Sequence, residues 1–238
     1  MKSDRYFYPI ASFTILLLTF FGFRRFYLAG TGSVGQPLTP QIATLVIAHG
    51  IAITGWIVLF FVQTLLIASN NGRLHMKLGW SAVGLATIIA ATSIPVAILG
   101  ARLSPDFNIV GFPRSQFLLI HFADILAFIV FVALGLIMRK QAHRHRAMLL
   151  MATMTFLPAA TTRTPFFNDH FGEEGWWTMN GPQFILGALF VIFRLIRDRS
   201  PDRWLTVSYA SLVGFVLLSE HLATGETWGR VAKWILQV

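Results

Sequence analysis

The chain has 238 residues, 55% of them hydrophobic and only 12% charged, and a soluble domain of that length cannot hide so much apolar surface. Its net charge of +9 is read as membrane topology and not as nucleic-acid binding, because basic loops hold transmembrane helices in orientation. The absence of cysteine excludes disulfides, thiolate metal sites, iron–sulfur clusters and haem attached through Cys-x-x-Cys-His.

Seven apolar runs predict membrane spans, at about 8–29, 41–69, 76–100, 116–138, 146–163, 180–197 and 204–223. The first begins "MKSDRYFYPIASFTILLLTFFGF", with the basic start and apolar run of a signal peptide. It continues into "RRFYLAG" with no small-x-small cleavage site, so it is read as a retained helix. The fifth and sixth spans are short. After the seventh, "ETWGRVAKWILQV" places Trp228, Val231, Ile235 and Leu236 on one helical face and Arg230, Lys233 and Gln237 on the other. That pattern suits a short helix lying in the interface plane. The expected fold class is all-α: a polytopic membrane helical bundle forming a single transmembrane domain over residues 1–238. Its motif-bearing core is a four-helix unit at about 41–163, flanked by the spans at 8–29, 180–197 and 204–223.

The loops set the orientation. With the N-terminus inside, the inner segments hold Lys2, Arg5, Arg73, Lys77, Arg139, Lys140, Arg144, Arg146, Arg194, Arg197, Arg199 and Arg203. The outer side holds most of the acids: Asp106, Asp169, Glu173, Glu174, Glu220 and Glu226. This asymmetry predicts an N-in, C-out protein of a bacterial inner membrane. The outer loops 30–40, 101–115 and 164–179 are long enough to form a lid.

Ionisable groups inside spans are rare and point into the bundle or a wet cavity. His49 lies about two turns into the second span and His121 just over one turn into the fourth, both from the outer side. Asp124 follows His121 by three residues and shares its face. His221 and Glu220 close the seventh span on that side, and His170 lies in an outer loop. On the inner side His75 opens the third span, while His143 and His145 open the fifth. Two tiers result: His49 with His121, and His75 with His143 or His145. On the second span His49, Trp56, Phe60 and Gln63 recur at helical spacing and would line one side of a flat cofactor. Arg24, Arg25, Arg114 and Arg163 lie at the outer level, placed to neutralise haem propionates or a lipid or substrate phosphate. Plainer roles stand beside these. Histidines among Arg and Lys at a boundary set topology, His49 and His121 would make interhelical hydrogen bonds, and Asp124 would pair with Arg163 or Arg114.

The stretches "IAHGIAITGWIVLFFVQTLL", "GRLHMKLGW" and "AHRHRAMLLMATMTFLPAATTR" resemble a group of uncharacterised bacterial multipass proteins. That group carries His-x-x-x-Gly, Leu-His-x-x-Leu-Gly and His-Arg-x-x-Met-Leu motifs, and the likeness covers about half the chain. The arrangement of histidines also resembles the cytochrome b561 and ferric-reductase type of bundle. There one His from each of four consecutive helices binds two haems, so the resemblance implies haem b ligated by His49, His75, His121 and His143 (or His145).

Three functions are therefore expected in turn. The first is a membrane oxidoreductase or electron-transfer protein, with haem b held by the four histidines, Arg24, Arg25 and Arg163 beside it, and a quinone or another membrane subunit as partner. The second is a Zn- or Fe-dependent enzyme at the outer face, with His49, His121, Asp124 and His221 as metal ligands. The third is a non-catalytic transporter or accessory subunit, in contact with membrane lipids. A retinal-type receptor is excluded, because the seventh span has no lysine for a Schiff base.

Overall fold

In the computed structural model, residues 5–31, 38–104, 111–171 and 176–237 are described. They form ten helices: α1 (Phe7–Ala29), α2 (Pro40–Ala68), α3 (Gly72–Leu103), α4 (Arg114–Ile137), α5 (Ala142–Met154), α6 (Leu157–Thr161), α7 (Pro165–Phe171), α8 (Trp176–Asp198), α9 (Arg203–Ala223) and α10 (Glu226–Leu236). Six of them, α1 to α4, α8 and α9, are long and apolar enough to cross a membrane. The protein is a polytopic helical bundle. Lys2, Asp106, Glu173 and Glu174 lie outside the described residues.

Local chemistry sets the helix ends. Gly30 adopts the left-handed conformation (φ 63°) that closes α1, with its N–H on the Phe26 carbonyl. Pro40 opens α2 at a position where a missing N–H costs nothing. The Asn71 side chain caps α3 by accepting from the Leu74 N–H, and Asp202 caps α9 by accepting from that of Leu205.

The predicted fifth span is two helices, α5 and α6. A proline has no N–H for the carbonyl four residues before it, so Pro158 leaves the Met154 carbonyl without its helical donor. The helix stops there and restarts at Leu157. Gln183 of α8, fully buried, donates its Nε2 hydrogen to that Met154 carbonyl at 2.9 Å. The α5–α6 pair is the centre of the bundle: Ala147, Leu150, Met151, Ala152, Met154, Leu157 and Ala160 have no exposed surface. It packs on α1, α2, α4, α8 and α9. Arg146 stacks over Tyr8 near the start of α1, and Ala160 meets Gly22 near its end, so the pair runs beside α1 from one end of the bundle to the other.

Polar contacts register the layers. The hydroxyls of Ser12 and Thr64, and of Tyr27 and Thr54, hydrogen-bond at 2.9 Å and join α1 to α2 at two heights. Trp56 donates to the Thr153 hydroxyl at 3.2 Å, tying α2 to the central helix. Its ring meets Phe128 edge-on, 4.9 Å between centroids, and Phe128 in turn packs on Phe156. The interior between α2, α4 and α5 is thus filled with side chains.

Two expectations are corrected. Much of the outer segment 164–179 is not a loop, because α7 and the first turn of α8 occupy it. In α10 the packed residues are Trp228, Ala232, Ile235 and Leu236, whereas Val231 and Trp234 are exposed. This helix caps the ends of α3 and α4: Trp228 donates to the Ser115 carbonyl, and Arg102 donates to that of Ile235.

At Gly22 an added side chain would run into the Ala160 backbone, while Gly84 faces open space. Gly22→Leu is expected to separate α1 from α6 and lower stability by about 1–3 kcal/mol, the usual cost of overpacking. Gly84→Ala, in the helix interior with nothing to meet, should leave stability unchanged or raise it by up to about 1 kcal/mol. Thermal unfolding in detergent measures both.

Candidate functional sites at the two ends of the bundle

The predicted face of α2 is its packed face: Trp56, Phe60 and Gln63 are buried, and His49 is partly buried. It connects two polar zones. The zone near the N-terminus contains Gln63, His75 and His145; the zone at the opposite end contains His49, His121, Asp124, Glu220, Arg114 and Arg163.

At the N-terminal end, α3 and α5 each place a histidine in their first turns. The His75 and His145 rings lie 6.4 Å apart between centroids and are perpendicular, with planes at 89°. His145 Nδ1 hydrogen-bonds the Gly135 carbonyl at 2.8 Å. His75 Nδ1 is buried with no well-formed hydrogen bond, its imidazole lying against the Gln63 backbone, and both polar atoms of the Gln63 side chain are buried without a partner. Buried polar groups are normally satisfied, so three such atoms together mark an unusual spot. Gly79 of α3 lies beside it, where a Cβ would make an ordinary contact with Gln63 Nε2 at 3.9 Å. Of the two α5 histidines, His145 faces His75 and His143 is exposed. Nearby, Arg194 pairs with Asp198 (3.1 Å) and Asp202 (3.2 Å), locking the end of α8 to the start of α9.

At the far end the two predicted partners meet around α3. His49 Nδ1 bonds the Thr92 hydroxyl at 2.9 Å. His121, on α4, faces the backbone of the next residue, Ser93, and lies within electrostatic range of His49. His121 Nε2 is buried without a partner. These contacts fall where Pro95 leaves the Ala91 carbonyl of α3 without a helical donor. For His49 the interhelical hydrogen bond is therefore the observed role.

The acids depart from expectation. Asp124 forms no ion pair with Arg163 or Arg114; the charged group nearest in influence is Glu220. Glu220 is buried and accepts from Trp176 Nε1 (2.7 Å) and Asn180 Nδ2 (2.6 Å), both on one face of α8. His221 beside it is exposed. Among the described residues no group of three or more His, Asp or Glu is placed to hold a metal, so His49, His121, Asp124 and His221 are not assembled into a metal centre. His170, on the short α7, is exposed and bonds its own helix at the Phe166 carbonyl.

The cations of this end are dispersed. Arg24 is partly buried and donates to the Phe21 carbonyl of its own helix at 3.2 Å. Arg25 is exposed. Arg163 donates to the Ala159 carbonyl and lies over the Phe23 ring, 5.0 Å from its centroid. All three are separated by the length of α1 from the His75–His145 pair.

Glu220, Gln183 and Gln63 are functional-looking residues that sequence reasoning passed over or left at the margin. The i, i+4 spacing of Trp176 and Asn180 was a readable sign of a polar face on α8, and Pro158 was a readable sign that a donor is needed opposite. Comparison with known proteins adds no relative: no family model, curated protein or solved structure matches the chain.

His49→Ala and Thr92→Val are each expected to cost about 1 kcal/mol, the worth of one hydrogen bond. The double variant should lose little more than either single one, since they share the bond. Unfolding of the four proteins of this cycle measures the coupling.

Proposed function

We propose that the protein is a membrane electron-transfer protein that seats a b-type haem at the N-terminal end of the bundle, with His75 and His145 as axial ligands. The observation that carries this reading is the separation of the two rings. A metal–imidazole bond of roughly 2.1 Å, with the ring centre about 1.1 Å further, puts two rings on opposite sides of one metal about 6.4 Å apart. The observed separation is 6.4 Å.

The surroundings support the same reading. The Gly135 carbonyl fixes His145 Nδ1 as the donor and leaves Nε2 free to bind a metal, as such outer contacts do at metal sites. The unsatisfied atoms of His75 and Gln63 would face the ligand instead of a dry core. A haem so held supplies one-electron oxidation and reduction. The basic N-terminal end then faces the cytoplasm of a bacterial inner membrane, and a quinone or a second membrane subunit exchanges the electron. The far-end histidines have a different role, since His49 is committed to Thr92. This gives one haem and not two.

A second reading, a transporter or accessory subunit, draws on the far end. Two carboxylates, Asp124 and Glu220, influence each other there within the spans, and such groups mark ion or proton pathways.

Protein purified from haem-replete cells is expected to show a Soret band, with sharp alpha bands on reduction. His75→Ala and His145→Ala should each abolish it, and His143→Ala and His49→Ala should leave it. A colourless wild-type protein would reject the haem reading in favour of the second.

A further inference from the structure

We infer that the cavity between the far ends of α1 and α2 and the residue that follows α6, Arg163, is an anion site that takes a phosphate group, from a phospholipid headgroup or from free phosphate. The cavity measures about 90 Å³ and is lined by Arg163, Arg25, Thr31, Phe23, Phe26 and Val46, among others. That is room for one small oxyanion.

Two features make it a site for negative charge. First, among the described residues neither lining arginine has an acidic partner. Arg163 gives one N–H to the Ala159 carbonyl and its face to Phe23. A guanidinium has five N–H groups in a fixed fork, so most of its donors remain for a ligand. Arg25 is exposed, and among the described residues its side chain makes no hydrogen bond; its carbonyl accepts from Gly30 and Thr31. Second, Arg114 lies within electrostatic range of Arg163 and adds charge of the same sign. Oxygen anions fit the guanidinium fork in a bidentate manner.

The backbone prepares the place. Gly30, in its left-handed conformation, turns the chain so that Thr31 comes back over Arg25, and the hydroxyl of Thr31 joins the rim. Gly22, pressed on Ala160, brings α1 close enough to Arg163 for Phe23 to lie under the guanidinium. The site lies at the terminus of a spanning helix, the depth at which headgroups sit. It is independent of the haem reading.

Delipidated protein in neutral detergent tests it, by native mass spectrometry and thermal unfolding with three probes: phosphatidylglycerol, phosphatidylcholine and inorganic phosphate. The expected result is one tightly held phosphatidylglycerol and a raised Tm, with phosphatidylcholine bound more weakly. Arg163→Gln and Arg25→Gln should each weaken this by roughly tenfold, as befits loss of a charge-assisted contact. Arg24→Gln, whose side chain lies off the cavity, should not. Arg25 is exposed, so Arg25→Gln carries the test if Arg163→Gln fails to fold. Binding of inorganic phosphate with the same pattern of losses identifies free phosphate as the source and leaves the site standing. Equal loss in Arg24→Gln, or no preference of the wild type for either phosphate probe over phosphatidylcholine, would overturn it.

Discussion

One hydrogen bond organises the interior: the Gln183 side chain on the Met154 carbonyl. Pro158 interrupts the central helix where neither water nor lipid can reach. An orphan carbonyl in that setting costs several kcal/mol, so its donor must be built in from another helix. Gln183 fulfils this from α8, and that fixes the height at which α8 meets the centre. Other contacts follow from the same meeting. The Thr161 hydroxyl approaches the Met179 carbonyl, and Tyr209 of α9 rests over Gly187 and donates to the Phe184 carbonyl. Around this fixed layer α1 and α2 close, held by their paired hydroxyls.

The two ends then differ in kind. Near the N-terminus, positive charge is absorbed by structure. Arg194 lies between two aspartates, Arg144 stacks on Trp204, and Arg146 stacks on Tyr8. Beside these stacked and paired arginines, one imidazole nitrogen of His75 and the Gln63 amide lack a hydrogen-bond partner. At the far end, Glu220 is satisfied by Trp176 and Asn180 while Arg163 has no acidic partner among the described residues. A neutral nitrogen ligand set and a cationic cradle suit different chemistry, and the length of the bundle separates them.

The membrane character and the positions of the spans were readable because lipid imposes one rule, a long apolar run, on every crossing. The pairing of His75 with the fifth span was readable as well, from the order of the helices. The choice of His145 over His143 was not. Two residues apart on a helix face nearly opposite ways, and which one turns inward depends on how α5 is rotated by Ala147 and Met148 in the core. The same holds for Glu220 and His221, neighbours about 100° apart, where the packing of α8 on α9 selects the acid. The proline of the central helix was visible in the chain. Its partner, far along the sequence on another helix, was not, because nothing local to Gln183 states what it faces.

The central helix has a further consequence, for biogenesis. α5 is the most enclosed element, yet it is not among the helices long and apolar enough to cross a membrane. Its first turns carry His143, Arg144, His145 and Arg146. Such a segment has little reason to leave the insertion machinery until neighbours are there to receive it. α1 and α2 precede it in synthesis and α8 comes after, so α5–α6 must wait beside a partly built bundle, its Met154 carbonyl open, until α8, the fifth long helix, arrives. The arrival of α8 is then the step that satisfies the centre, and α9 closes the core after it.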